Sequence, residues 1–441
     1  MRFYILRLKL CGIKNIEEPI TIEFYKKTIN NDFNPEKYRI KAIYGENGSG
    51  KTAIITAVKL MRSILTDGNY LLDNDTQRSL VELVNKKTRN GNIECEFYTD
   101  LDVKRIMHYS LSFEIGADER FYITEELLEE KNGNRSSNKY QNVIRTMKGT
   151  LVDCLDTNVK EYFKDKTMNL LDKQSLSTIV IRQFDMPMEL RTTSTILYLF
   201  ILTIFALTID VFLDEADNHA DYALRERISE LDEKTIESKG AELVQQINKK
   251  IINPKADTKK IPKSNYASYE EQTRRLCDFV KIFKPELKEI EIEKRDLDTY
   301  YQCNLKMVYE NYTLDREFES RGIKKLMDLF DTLDAASSGA VVFIDELDSN
   351  VNDVYLDKLI EYFACYGKGQ LCFTAHNLSP MTVLKSNRNA ISFISSINTV
   401  HTWTSNGNYT PENAYRNGFI EDSPFNVDAT DFLGILGGQN A

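Results

Sequence analysis

A glycine-rich segment near the amino terminus has the residue types and spacing of a phosphate-binding loop. Residues 45–52 (GENGSGKT) match the pattern G-x-x-x-x-G-K-[ST], with a strand-like run (40–44) before them and a helix-like run (52–65) after them. In such a loop the glycines let backbone N–H groups converge on a phosphate at a helix N-terminus, and the lysine adds positive charge. The candidates for binding the phosphates of ATP are Gly45, Asn47, Gly48, Ser49, Gly50, Lys51 and Thr52.

A second segment supplies the acids that ATP hydrolysis requires. The apolar run 340–344 (AVVFI) is typical of a buried strand and ends in Asp345 and Glu346. We expect Asp345 and Thr52 to be the ligands of Mg²⁺, and Glu346 to be the base that activates the attacking water. A similar ending at 212–215 (FLDE) follows a segment that we interpret as a helix, so we do not expect it to act in this way.

The elements around these segments indicate an interrupted nucleotide-binding fold. Residues 52–344 lie between Lys51 and Asp345, far more than a compact phosphate-loop core needs. Strand-like runs lie at 3–10, 20–24, 40–44, 93–98, 107–115, 287–293, 304–310, 340–344 and 370–374, and helix-like runs at 151–172, 192–212, 218–250 and 267–284. We therefore predict an α/β fold with an amino-terminal ATPase lobe (1–150), a helical insertion (151–284) and a carboxy-terminal ATPase lobe (285–441).

Composition restricts the class of protein. The 441 residues are 42% hydrophobic and 28% charged, with a net charge of -10, so we expect a folded chain whose bulk charge repels nucleic acid and anionic membranes. Seven scattered cysteines argue against a disulfide framework and a thiolate zinc site. The uncharged run 192–209 is rich in Thr and Ser and is followed by acids, so we interpret it as a buried core helix. We expect a cytoplasmic protein without membrane contact.

Three segments of the carboxy-terminal half carry a resemblance to a known family. Residues 319–322 (ESRG) precede a helix, 345–348 (DELD) follow the apolar strand, and 374–377 (TAHN) follow the next strand. With the phosphate loop, this order resembles the ABC-like AAA ATPases of the OLD and abortive-infection group, over most of the chain. The resemblance implies a P-loop NTPase of the ABC/SMC-head type, with two β-containing lobes and a large helical insertion.

The resemblance also implies roles for four further residues. Ser320 and Gly322 would be the signature residues that act on ATP held by the other protomer of a head-to-tail homodimer. Asp348 would lie in the dimer-contact loop, and His376 would be the switch histidine near the γ-phosphate. The sequence departs from the family pattern at Ile323, where Thr is commoner. Ser320 as an ordinary helix cap, and His376 as a polar residue at a strand end, remain alternatives.

The implied function is ATP hydrolysis, with ATP and Mg²⁺ as cofactors, in a bacterial anti-phage system. The chain would be the sensor or regulatory subunit that controls a separately encoded effector, a nuclease being one candidate. We expect no TOPRIM nuclease domain, because only residues 377–441 follow His376, and no nuclease site in a chain with four histidines.

Several alternatives stay open from the sequence. The chain could be a DNA-repair ATPase of the SMC or RecF type, or an ATP-gated scaffold with negligible turnover. The lysine-rich stretch 249–263 could contact nucleic acid, although a solvated connection is the simpler interpretation. The family's metal-reporting glutamine could be Gln174 or Gln183, and nothing in the sequence chooses between them.

Overall fold

The computed structural model describes residues 2–25, 29, 33–100, 103–133, 139–183, 185–213, 258–387, 389–404, 409–421 and 423. Helices and strands are numbered in chain order within these residues, which form a mixed α/β fold.

The amino-terminal half forms a seven-stranded antiparallel sheet with the order β2-β1-β4-β5-β6-β7-β8. Its strands are β1 (Phe3–Cys11), β2 (Ile20–Glu23), β4 (Asn90–Thr99), β5 (Arg105–Ile115), β6 (Phe121–Asn132), β7 (Gln141–Met147) and β8 (Thr150–Cys154). The sequence did not predict β6, in which glutamates interrupt the apolar pattern. One of them, Glu126, is fully buried and accepts hydrogen bonds from the Tyr109 hydroxyl (3.0 Å) and the Leu176 N–H (3.0 Å), so the strand tolerates it.

A six-stranded sheet with the order β17-β16-β3-β15-β14-β9 forms the centre of the molecule. Its strands are β3 (Ile40–Gly45), β9 (Ile209–Phe212), β14 (Val341–Ile344), β15 (Gln370–Thr374), β16 (Ile391–Ile394) and β17 (Val400–Thr402). All pairs are parallel except that of the edge strand β17. Parallel sheets are covered on both faces, which is why β14 is apolar throughout. The carboxyl ends of β3, β15 and β14 therefore lie side by side at one edge.

A smaller antiparallel sheet follows the undescribed segment 214–257. It contains β10 (Thr258–Pro262), β11 (Glu289–Asp296), β12 (Tyr300–Val308) and β13 (Thr313–Asp315). The prediction of a solvated connection over 249–263 is wrong for β10, which pairs with β12 and buries Ile261. The rest of that stretch lies outside the described residues.

Helices cover both faces of the central sheet and also pack against the two antiparallel sheets. They are α1 (Lys51–Thr66), α2 (Asn74–Leu83), α3 (Thr157–Lys166), α4 (Leu176–Arg182), α5 (Met188–Arg191), α6 (Ser194–Thr208), α7 (Tyr266–Phe283), α8 (Arg321–Ser338), α9 (Asp353–Tyr366), α10 (Ser379–Leu384) and α11 (Pro411–Arg416). Helices α1, α4 and α6 share a core with Val341 and Phe343 and with the antiparallel sheet. Helices α8 to α11 share a second core with Val342 and Ile344 on the opposite face.

The region predicted as a helical insertion is partly β-structure where it is described. Residues 150–154 form β8, and the predicted helix 192–212 divides into α6 and the strand β9. Thus 212–215 follows a strand rather than a helix, although Asp214 and Glu215 lie outside the described residues. Helix α6 contributes to the buried core, and no helix among the described residues is long and apolar enough to cross a membrane. The predicted helix 218–250 lies outside the described residues, and the division at 150 and 284 stays a prediction.

Candidate functional site

The phosphate loop has a conformation that its glycines make possible. Gly48 and Gly50 have φ angles of 80° and 107°, in the left-handed region that favours glycine. Gly50 is the residue before α1 and gives this 16-residue helix no side-chain cap. Because the first N–H groups of a helix have no acceptor within it, the N-terminus of α1 offers several donors and a partial positive charge to an anion.

Lys51 lies at the centre of the loop. Its Nζ donates to the carbonyl oxygens of Gly45 (2.8 Å) and Glu46 (2.9 Å). Burial lowers the pKa of the Lys51 ammonium, and nearby carboxylates, first Asp345 and then Glu346, oppose that shift. The phosphate-loop lysine and the two predicted acids therefore lie within electrostatic reach of one another.

Contacts from other parts of the chain fix the loop. The Asn15 side-chain amide donates to the Gly48 carbonyl (2.5 Å), and that of Asn398 donates to the Ser49 carbonyl (3.1 Å). The Ser49 hydroxyl is buried and finds no hydrogen-bond partner among the described residues. An orphaned hydroxyl beside a row of helix N–H groups fits a loop whose partner is a phosphate.

The acids follow β14 as the sequence predicts. Asp345 is buried, and its Oδ1 accepts a hydrogen bond from the Thr374 hydroxyl at 2.6 Å. The same hydroxyl accepts one from the Glu346 N–H at 2.8 Å. Thr374 ends β15, which lies between β3 and β14. A single threonine hydroxyl therefore contacts the Asp345 carboxylate and the Glu346 backbone at the edge that carries the phosphate loop.

Glu346 and His376 form a more open pair beside the acids. Their side chains are 48% and 43% exposed, and the distance from His376 Nε2 to Glu346 Oε1 is 3.9 Å, too long for a direct hydrogen bond. The Asp348 Oδ2 accepts from the N–H groups of His376 (2.9 Å) and Asn377 (2.6 Å). Asp348 thus holds the histidine loop of its own chain, a contact that the sequence did not predict.

A cavity lies between the start of the phosphate loop and His376. Its volume is about 450 Å³, and its lining includes Tyr44, Gly45, Glu46, Asn47, Ala375, His376, Leu378 and Tyr415. A larger cavity of about 700 Å³ lies elsewhere, next to Arg39 at the amino end of β3. Because the phosphate loop follows the carboxyl end of β3, the smaller cavity is the one associated with the candidate chemistry.

The predicted signature segment begins α8. Ser320 is exposed, and its hydroxyl caps the helix by accepting a hydrogen bond from the Ile323 N–H at 3.4 Å. This is the contact that the helix-cap alternative predicts. A Cβ on Gly322 would lie 2.6 Å from the Asn350 carbonyl oxygen, so glycine allows α8 to approach the loop after Glu346. Among the described residues, no hydrogen bond joins Ser320 or Gly322 to the phosphate loop of the same chain.

A buried carboxylate supports this segment. Glu319 is 5% exposed and accepts hydrogen bonds from the Tyr309 hydroxyl, from the Lys284 Nζ (3.2 Å) and from the Ser320 N–H (3.1 Å). Burial alone would raise the pKa of Glu319, but these three donors lower it overall. The ionised carboxylate therefore holds the backbone of Ser320 in place.

Sequence reasoning did not assign several residues that organise the site. Thr374 and Glu319 belong to the quoted motifs, but their partners come from distant strands and helices, so no local pattern showed their roles. Asn15 and Asn398 lie in loops with no motif at all. Gln174 and Gln183 flank α4, and the structure gives no reason to choose either as the metal-reporting glutamine.

Comparison with known proteins adds little. No family model and no curated protein matches the chain. Two solved structures of the recombination mediator protein RecF in the RecFOR pathway, described as RecF-ATPrS and RecF-ATP, align at 12% and 13% sequence identity. Each alignment covers 91% of this chain and 99% of the RecF chain, with a TM-score of 0.38. A likeness this slight carries no inference about activity or partners, so the candidate site depends on the contacts of its own residues.

Proposed function

We propose that this chain is an ATP-binding and ATP-hydrolysing enzyme of the ABC-like P-loop class. One observation carries the proposal: the parallel strands β3 and β14, on either side of β15, bring the uncapped N-terminus of α1 with Lys51 and the acids that follow β14 to the same edge of the central sheet. Anion-binding groups hold phosphates, and carboxylates hold a metal cation. A nucleoside triphosphate with its Mg²⁺ needs both kinds of group in one site.

Each residue of the site has a role in this chemistry. The α1 N–H groups and Lys51 bind the phosphates, while the Thr52 hydroxyl and the Asp345 carboxylate would hold Mg²⁺. When bound, the metal would neutralise charge on the phosphate oxygens. Glu346 accepts the proton of the attacking water, and His376 contributes a hydrogen bond near the γ-phosphate.

We propose that the site is completed by a second copy of the chain. Glu346 and His376 are about half-exposed, and Ser320 is exposed on a rigidly supported helix N-terminus. In a head-to-tail dimer, Ser320 and Gly322 of one protomer contact the ATP held by the other. ATP binding then closes the dimer and hydrolysis reopens it.

The biological role proposed here is regulatory. From the family resemblance, the chain senses phage infection in the cytoplasm and controls a separately encoded effector. The partner would dock on residues 214–284, of which 214–257 lie outside the described residues.

Glu346→Gln tests the proposed reaction. The substitution keeps the volume of the side chain but removes the base, so kcat should fall about 10²- to 10⁴-fold while ATP still binds. The variant should also accumulate as a closed dimer with ATP, measured by light scattering. The control is Glu310→Gln, which removes an exposed carboxylate paired with Lys288 and should hydrolyse ATP normally.

Three outcomes distinguish the candidate functions. Wild-type turnover in Glu346→Gln would refute the assignment of the base. No turnover in the unmodified chain, with ATP-dependent dimerisation retained, would favour the ATP-gated scaffold. Turnover that rises with duplex DNA, and falls steeply as salt is raised, would favour a DNA-repair ATPase over a defence sensor.

A further inference from the structure

A buried lysine connects the signature helix to the proposed catalytic base. Lys325 is 5% exposed and lies in α8, five residues after Ser320. Its Nζ donates to the Glu346 carbonyl oxygen at 2.7 Å and also to the Ser349 hydroxyl. The ammonium group of Lys325 thus connects α8 to the loop that presents Glu346.

The peptide groups of Glu346 are held from two sides. Its N–H donates to Thr374 at the end of β15, and its carbonyl accepts from Lys325 on α8. Glu346 also has a φ angle of 47°, a left-handed conformation that is unfavourable for a residue with a side chain. Such a conformation persists only where the surroundings fix it, and Lys325 supplies one of the two fixed points.

A second contact makes the connection rigid. Gly322 of α8 lies against the Asn350 carbonyl, so closely that a Cβ would be 2.6 Å from that oxygen. The loop 346–350 therefore touches α8 at two successive turns, through Gly322 and through Lys325. A helix rises about 1.5 Å per residue, so Ser320 and Lys325 are about 7.5 Å apart along the axis.

We propose that Lys325 is a positioning residue that fixes the proposed base of its own chain. In a head-to-tail dimer, Ser320 contacts the nucleotide of the partner, whereas Glu346 serves the nucleotide of its own chain. Lys325 holds the Glu346 backbone to α8, so the base keeps the orientation that its own site requires while the start of the same helix contacts the partner's ATP. This inference rests on the proposed function.

The first experiment separates positioning from binding. Lys325→Met retains the aliphatic chain and removes the donor, so kcat should fall about tenfold or more, since hydrogen bonds to charged groups are among the strong ones. The affinity for a fluorescent ATP analogue with Mg²⁺ should stay within about twofold of wild type, because the two hydrogen bonds given above for Lys325 go to the loop 346–350 and not to the phosphate loop. Lys324→Met is the matched control, since the Lys324 Nζ donates to the carbonyl oxygen of the exposed Glu317 and not to the loop 346–350.

Conservative replacement gives a second readout. Lys325→Arg retains a charged donor and should recover part of kcat, whereas Lys325→Gln, whose amide is about one bond too short, should recover less. If Lys325→Met does not fold, as judged by thermal melting, the comparison of Arg with Gln carries the test. Equal kcat values in folded Arg and Gln variants, or a loss of ATP affinity that accounts for the whole loss of activity, would overturn the proposal.

The last experiment determines in which site Lys325 acts. Lys51→Ala chains cannot bind ATP but retain Ser320 and should restore activity to Ser320→Arg chains by forming one intact composite site. They should not restore Lys325→Met chains, because the misplaced base and the intact phosphate loop belong to the same protomer. Equal restoration of both variants would mean that Lys325 acts only through Ser320, and would overturn its role in positioning the base of its own chain. If Lys51→Ala chains do not restore activity to Ser320→Arg chains, the composite dimer site itself is contradicted instead.

Discussion

Two helix N-termini, those of α1 and α8, carry opposite halves of the proposed site and are built in different ways. The start of α1 follows Gly50 without a side-chain cap, so its first N–H groups have no side-chain acceptor and are suited to an anion. The start of α8 is capped by Ser320, whose N–H is held by Glu319. The first end therefore lacks an acceptor that the second end supplies from its own chain. We infer that α1 binds the nucleotide of its own chain and α8 contacts that of a partner.

Lys51→Ala should have the largest effect on ATP binding and hydrolysis, and that effect should arise at α1 alone. The substitution removes the charge that faces the phosphates, so ATP affinity should fall below detection and hydrolysis should cease, while α8 stays unchanged. Equilibrium binding of a fluorescent ATP analogue is the measurement, and Lys86→Ala, at an exposed lysine paired with Glu82, is the control. Retained affinity in Lys51→Ala would mean that α1 is not the phosphate-binding helix.

Ser320→Arg should abolish activity by a different route. The bulky cation should block the partner's site without disturbing the phosphate loop of its own chain, so ATP affinity should persist in the isolated protomer. Mixing with Lys51→Ala should restore part of the rate, at most about half of the wild-type value per dimer, with a maximum near equal amounts. A rate that stays at zero at every mixing ratio would favour a site complete within one chain.

The sequence predicts the residues at the start of α1 much better than the contacts that organise the start of α8. Strand, glycine loop and helix at 40–65 form a local motif whose chemistry is contained in adjacent residues, and β14 with its two acids is equally local. The contacts that organise α8 and Glu346 come from elsewhere in the fold: Thr374 lies 28 residues from Glu346, and Lys284 lies 35 residues from Glu319. Their roles depend on tertiary packing and could not be read from spacing.

The β-structure that the prediction missed has a similar cause. Strand β6 contains a buried glutamate that is satisfied only by the distant Tyr109 and by the N-terminus of α4, so its pattern does not alternate cleanly. Strand β9 directly follows α6 in a mostly apolar stretch, and an apolar stretch alone does not separate a helix from a strand. Pairing with β14 decides the outcome.

Lys284→Met should have a moderate effect, confined to the α8 half. Loss of one ammonium leaves Glu319 with the Tyr309 hydroxyl and the Ser320 N–H, so the segment should loosen rather than unfold. The rate of ATP hydrolysis should fall a few-fold, with little change in ATP affinity. In mixtures with Lys51→Ala, the variant should behave as a weak form of Ser320→Arg. The control is Lys288→Met, at an exposed lysine paired with Glu310.

Glu319→Gln should change the stability of the fold rather than ATP affinity, with a defined dependence on pH. Because the native pKa of Glu319 is lowered by its donors, its ionised form stabilises the fold above its ordinary pKa, and that contribution is lost as the pH falls through the lowered native value. Wild type should therefore exceed Glu319→Gln in stability by about 1.5–3 kcal/mol near pH 7, as is typical of hydrogen bonds to a charged group. The difference should shrink below about pH 4, near the unperturbed pKa of a glutamate. Urea unfolding at several pH values measures it, with the exposed Glu317→Gln as control. A difference that grows on acidification would mean that Glu319 is neutral in the native state, and Ser320 would then lack its charged support.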